Sequence, residues 1–365
     1  MKIRASFLSG MIMVIFITAC STQMKNELNT MRVRQVVDTV GFAHLDWQMD
    51  SITSRISTEF GEQLDEVKQS PETSWRAAIC PHDDYTYTSW LYPAVLKNIK
   101  AKTIFIFGVA HKAGQFKLEN RIVFDSYDAW QGPYGEIKVS PLRNKIIQKL
   151  PEDLYAVHDS MQTIEHSVES MIPYLQQQNP DIEIVSILVP YMPISKMDEI
   201  SVQLASAIHS VAEEGWKWGK DYSILITSDA VHYGDEEWGG ANYAPYGCDS
   251  AGYQQAVAHE HEIIQNCFSG ELGNEKADRF YQYTVQDNDF HTYKWTWCGR
   301  YSVPMGLKTA NQLQKLSNAT PLVGIPLGYE TSISQKHIEV DDLDMGRTAI
   351  AIPHHWVGYA AVGFK

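Results

Sequence analysis

Three histidines in this sequence follow directly on apolar runs of strand length. Residues 77–80 (AAIC) stop at Pro81 and give way to His82-Asp83-Asp84-Tyr85. Residues 103–107 (TIFIF) stop at Gly108, and His111 closes the turn that follows. Residues 222–227 (YSILIT) run into Ser228-Asp229-Ala230-Val231-His232. Imidazole is the commonest metal ligand and the side chain that titrates nearest neutral pH, so rings gathered at one sheet edge suit metal binding or proton transfer. In open α/β sheets the ligand crevice lies at the carboxyl ends of the strands. One histidine there is ordinarily a packed or surface residue. Three on separate strands point to a shared site, in which Asp229 could orient His232 or a water.

The elements that must position these residues are legible as periodicity. Two further apolar runs, 182–189 (IEIVSILV) and 357–364 (VGYAAVGF), read as buried strands. Helical segments are expected over 89–99, 165–178 and 195–214. Residues 34–69 also read as mostly helical, with apolar positions at Ile52, Ile56, Phe60 and Leu64. Strands alternating with helices predict an α/β fold, one domain over 34–365 with a central, largely parallel sheet flanked by helices.

Other features narrow the function. The chain has 365 residues, 30 of them Lys or Arg against 44 Asp or Glu, a net charge of −14. That acidity argues against a nucleic-acid partner, which needs clustered cations. No GxGxxG, P-loop or GxSxG motif occurs, so nucleotide-binding and esterase readings lack support. His259-Glu260-His261-Glu262 does not have HExxH spacing and reads as a solvated helix face. His354-His355 is open to either a surface or a site reading. Cys80 reads as a buried thiol, while a disulfide between Cys248 and Cys267 stays open. At the amino terminus, Lys2 and Arg4 precede an apolar run over 6–18 that ends in Ile17-Thr18-Ala19-Cys20. This resembles a bacterial lipoprotein signal. The expectation is a signal peptide over 1–19, a lipidated Cys20 opening a polar tether over 20–33, and anchoring to the outer rather than the inner membrane of the envelope. Without residues 1–19 the charge becomes 28 − 44 = −16.

Six segments in order resemble the Memo family, also called AmmeMemoRadiSam system protein B. They are CPHDDYTY (80–87), IFIFGVAHKAG (104–114), IEHSVESMIPYLQ (164–176), ILVP (187–190), ITSDAVHYGDE (226–236) and WCGRYSVPMGL (297–307). The resemblance covers nearly all of 34–365 and implies a fold like that of the class III extradiol dioxygenases. It implies a metal held by His82, His111 and Cys298, with His166, Asp229 and His232 lining the pocket in catalytic roles. The sequence departs from the family pattern at Asp84, where a glycine is usual, and at Lys112, where a second histidine is usual. Residues 238–252 are an insertion expected to form a rim or lid. Three protein ligands leave coordination positions open, as in working rather than structural sites. Iron or copper there implies redox, dioxygenase-like chemistry, and zinc implies hydrolysis. A non-catalytic module binding metal, a small molecule or a peptide is the third reading. The oligomeric state is left open.

Overall fold

The structure is a computed structural model that describes residues 31–70, 72–212, 215–235, 243–348 and 351–365. The signal peptide, Cys20 and the tether as far as residue 30 lie outside the described residues, as do 236–242, which include 238–242 of the insertion.

Four short apolar segments form the parallel heart of the sheet: β1 (Ala77–Cys80), β2 (Thr103–Val109), β3 (Glu183–Val189) and β4 (Tyr222–Thr227). Their order across the sheet is β3-β2-β4-β1, and each adjacent pair is parallel. Alternate residues face opposite sides of a strand. Here Phe105, Phe107, Ile187, Ile224 and Ile226 enter one apolar cluster, while Ile104, Ile106, Ile184 and Leu225 enter a second. Burial on both faces explains why these runs are apolar throughout rather than alternating.

The sheet continues from β1 in antiparallel fashion. Three more strands follow: β5 (His232–Gly234), β6 (Val323–Thr331) and β7 (His355–Phe364). Strand β7 lies against β1 and also pairs with β6 and β5. On the other side, Gly135–Val139 runs parallel to β3 and pairs antiparallel with Ala129–Gly132.

The helices are shorter than the sequence suggested. Within 34–69, Asp46–Glu59 and Gly61–Glu66 are helical, while 35–45 is irregular. The helix expected over 89–99 spans Leu91–Leu96, and that expected over 165–178 begins at Ile172 after a single 3₁₀ turn. Helix α1 (Ile194–Val211) packs against α2 (Ser302–Leu316). A Cβ at Gly306 of α2 would stand 2.5 Å from Ile226, so glycine sets how closely this helix approaches β4. Residues Arg32–Lys365 form one compact unit.

Candidate metal centre

Strands β2, β4 and β1 are neighbours and parallel, so their carboxyl ends open at one edge. His111, Ser228 to His232, and His82 follow those ends. Cys298 arrives from the segment that leads into α2. Gly299 permits this approach: a Cβ there would lie 2.2 Å from Ser228 Oγ. Ser228 Oγ accepts from the Gly299 amide at 3.1 Å, and the Asp229 amide donates to Cys298 Sγ at 3.2 Å.

His82 is the shared member of two donor clusters. Donor atoms of His82, His111 and His166 lie within 4.8 Å of one another, as do those of His82, Asp229 and Cys298. His82 Nε2 stands 3.4 Å from Cys298 Sγ and 3.4 Å from Asp229 Oδ2. The rings of His111 and His166 stack with centroids 4.9 Å apart. Of the three ligands implied by the resemblance, His111 therefore falls in one cluster, Cys298 in the other and His82 in both. His166 and Asp229, expected in catalytic roles, stand as close to His82 as ligands would.

The imidazoles are held in ligand form. His82 Nδ1 is 3.2 Å from Thr227 Oγ1, which leaves Nε2 facing sulfur and carboxylate. His111 Nδ1 is 2.9 Å from Glu165 Oε1, leaving its Nε2 to coordinate. Such outer contacts orient metal-binding histidines. Burial, followed by the neighbouring rings of His111, His166 and His232, pushes the His82 pKa well down. Desolvation, then His111, lowers His166 to about 4, although 36% of its side-chain surface is exposed at the mouth. Neutral rings, as at His82 and His166, are what a cation requires. Two thirds of the donor types are nitrogen or sulfur, which fits a transition metal better than calcium or magnesium.

The carboxylates divide the work. Burial alone would raise Glu165, but the charge and hydrogen bond of His111 draw it down to about 2. It also accepts from the amides of His111 and Ser167 at 2.9 and 3.0 Å. Asp229 is engaged with the segment that carries His82. Its Oδ1 accepts from the His82 amide at 2.8 Å and the Asp83 amide at 3.2 Å. Burial, then the charge of Asp83, raises its pKa well above the usual range. Asp84, the departure from the family pattern, is a packed residue. It accepts from the Thr348 amide at 2.6 Å and hydroxyl at 3.0 Å, and burial followed by Asp83 lifts it to about 8. Asp83 in turn accepts from Tyr359 Oη at 2.7 Å.

His232 begins β5, and its backbone amide donates to the Thr296 carbonyl at 3.1 Å. Burial first, then His111 and His355, lower its pKa to about 3. It is thus neutral at neutral pH, and a weak base. Lys112 is exposed beside His111.

One reading from sequence is corrected. The helix carrying His259 to Glu262 is not solvated all round: Glu260 is 0% exposed. Its Oε1 accepts from Trp295 Nε1 at 2.6 Å and Trp297 Nε1 at 2.8 Å. Cys248 and Cys267 are not joined in a disulfide, and Cys80 and Cys298 are thiols as well. Sequence reasoning also passed over Glu165 and Thr227 as orienting groups, because a hydrogen-bond acceptor is identified only by the donor opposite it.

Comparison with known proteins bears on the family. A family profile described as Memo-like protein matches residues 50–333. Among similar proteins, each named a MEMO1 family protein, one from Pyrococcus furiosus is 24% identical over 211 residues, 56% of this chain and 66% of its own length. One from Pyrobaculum arsenaticum is 27% identical over 179 residues, 46% of this chain and 58% of its own. One from Aquifex aeolicus is 30% identical over 162 residues, 43% and 54%. The chain thus spans between about half and two thirds of the length of these relatives. With its match extending over most of the folded body and through the strands that carry the donors, the chain belongs to the Memo-like family.

Proposed function

We propose that this chain is a metal-dependent redox protein, dioxygenase-like in its chemistry, acting on a small organic substrate at the bacterial envelope. The observation that carries this reading is that His82 is shared by an imidazole cluster and a sulfur–carboxylate cluster. Iron or copper held by these donors would supply electron exchange between dioxygen and the substrate, both oxygen atoms ending in the product.

The chain's own residues would divide the remaining tasks. Thr227 and Glu165 fix the rings of His82 and His111. Cys298, Asp229 and His82 are buried, while His111 and His166 reach the surface, so a substrate enters from the imidazole side. His166 and His232 stay neutral at pH 7 and could relay substrate protons only as weak bases whose protonated forms are short-lived. Lipid on Cys20 would tether the domain to the membrane.

The test uses the full chain purified without metal-affinity resin. About one iron or copper per chain at this centre is expected, with dioxygen uptake in the presence of catechol-like compounds. His82→Ala should remove both metal and uptake, and His232→Ala should slow uptake more than it reduces metal content. Ester or peptide hydrolysis with zinc alone would replace this reading with a hydrolase, and stoichiometric metal without turnover would replace it with a binding module.

A further inference from the structure

A separate set of donor atoms lies outside this centre. Asp235, Cys248 and His354 place a carboxylate oxygen, a sulfur and an imidazole nitrogen within 4.8 Å of one another. We propose that these three residues form a second metal site, taking a borderline divalent transition ion, zinc foremost.

Each donor comes from a different segment, and the packing of one buried ring holds all three segments together. Asp235 follows β5, and His354 precedes β7. These strands are antiparallel, with Gly234 opposite His355, which sets Asp235 beside His354. His354 Nδ1 stands 2.7 Å from Asp235 Oδ1. A Cβ at Gly234 would lie 2.2 Å from the His354 carbonyl oxygen, so only glycine allows the two segments to close this far. Cys248 stands just ahead of helix α3 (Ser250–Phe268). The turn before it is tied to β5 by Tyr233, whose hydroxyl donates to the Gly247 carbonyl and accepts from the Tyr246 amide, both at 3.0 Å. Tyr233 is fully buried and stacks on Trp356 of β7 with centroids 4.9 Å apart. The gathering of the donors is therefore a property of packed backbone, not of three flexible surface chains.

The donor chemistry selects the ion. A thiolate and a carboxylate together balance a divalent charge, and the neutral imidazole adds a borderline ligand. Sulfur and nitrogen disfavour calcium and magnesium, which take oxygen. Ligand atoms of tetrahedral zinc stand about 3.3–3.8 Å apart, so side-chain rotation would part His354 Nδ1 from Asp235 Oδ1, now at hydrogen-bond distance, and seat the ion among the three donors. The side chains of His354 and Asp235 are 49% and 38% exposed, which leaves a coordination position to solvent and a path for the ion. The consequence is local clamping. His232 pairs with Val357 only two steps along the same ladder, so an ion here would fasten the strand that carries it. No residue is shared with the centre at His82, and the two sites stand or fall separately.

Cys248 is partly exposed, whereas Cys80, Cys267 and Cys298 are buried, so an alkylating reagent reaches Cys248 first among them. In the metal-stripped full chain, added zinc should slow alkylation of Cys248, read peptide by peptide, by about tenfold or more, since the free thiolate is the nucleophile. His354→Ala and Asp235→Asn should restore the unprotected rate. In a Cys298→Ser chain, cobalt(II) should give thiolate-to-cobalt charge-transfer absorption, which Cys298→Ser/Cys248→Ser lacks. An alkylation rate at Cys248 indifferent to zinc, or cobalt absorption that survives loss of Cys248, overturns the site.

Discussion

Glu165 is the residue whose importance only contact reveals. It sits beside His166 in the sequence yet serves His111, holding both its amide and its Nδ1. A carboxylate behind a ligating imidazole fixes the ring and raises its basicity. Glu165→Gln removes the charge while nearly preserving shape, and the affinity for metal should fall about 10–100-fold. Competition with a chelator measures it, with circular dichroism showing that the chain stays folded. Unaltered affinity would mean that Glu165 supports the loop and not the ligand. Gly299 shows the same dependence on neighbours, since its lack of a side chain is what lets Cys298 reach the 228–229 turn.

At the scale of elements, helix α3 shows how a polar motif misleads. Gly252, Ala256, Glu260, Ile263, Ile264, Cys267 and Phe268 are its buried residues. Their spacing is a helical stripe that passes through Glu260, a signal present in the sequence and obscured by the flanking histidines and Glu262. Burial raises the Glu260 carboxyl to about 7, despite hydrogen bonds from Trp295, Trp297 and the Val231 amide that pull it down. The folded state thus holds a proton that the unfolded chain releases near pH 4.5. Its contribution to stability is complete below that pH and is lost as pH rises toward about 7, on the order of 3 kcal/mol across the window. Glu260→Gln should flatten this part of the stability profile in urea unfolding measured from pH 4.5 to 7.5, at the cost of some stability at the acid end of that range, because its amide would face the Val231 N–H. A variant with the slope of the native chain would refute the assignment.

For the whole molecule, the question is where it resides. Among the described residues, no helix is long and apolar enough to cross a membrane. Attachment to the envelope, as proposed, then rests on the lipid at Cys20. Cys20→Ala should move the protein from the membrane fraction to the soluble fraction while leaving metal content unchanged. Retention in membranes would require another anchor. The acidic body, at −14 for the full chain, gives no electrostatic attraction to anionic lipid that could substitute for it.

The sequence by itself determined the α/β class, the strands at 77–80, 103–107, 182–189 and 222–227, and the presence of His82, His111 and His232 at or just beyond their ends. Strand periodicity and strand ends are local properties, read from neighbouring residues. Only the tertiary structure decided that β2, β4 and β1 lie side by side, that Asp229 faces His82, and that Glu165 stands behind His111. It also decided that Asp235, Cys248 and His354 meet. These pairings depend on strand order and on closures across long stretches of chain, where packing of two apolar faces selects one arrangement that no local pattern encodes.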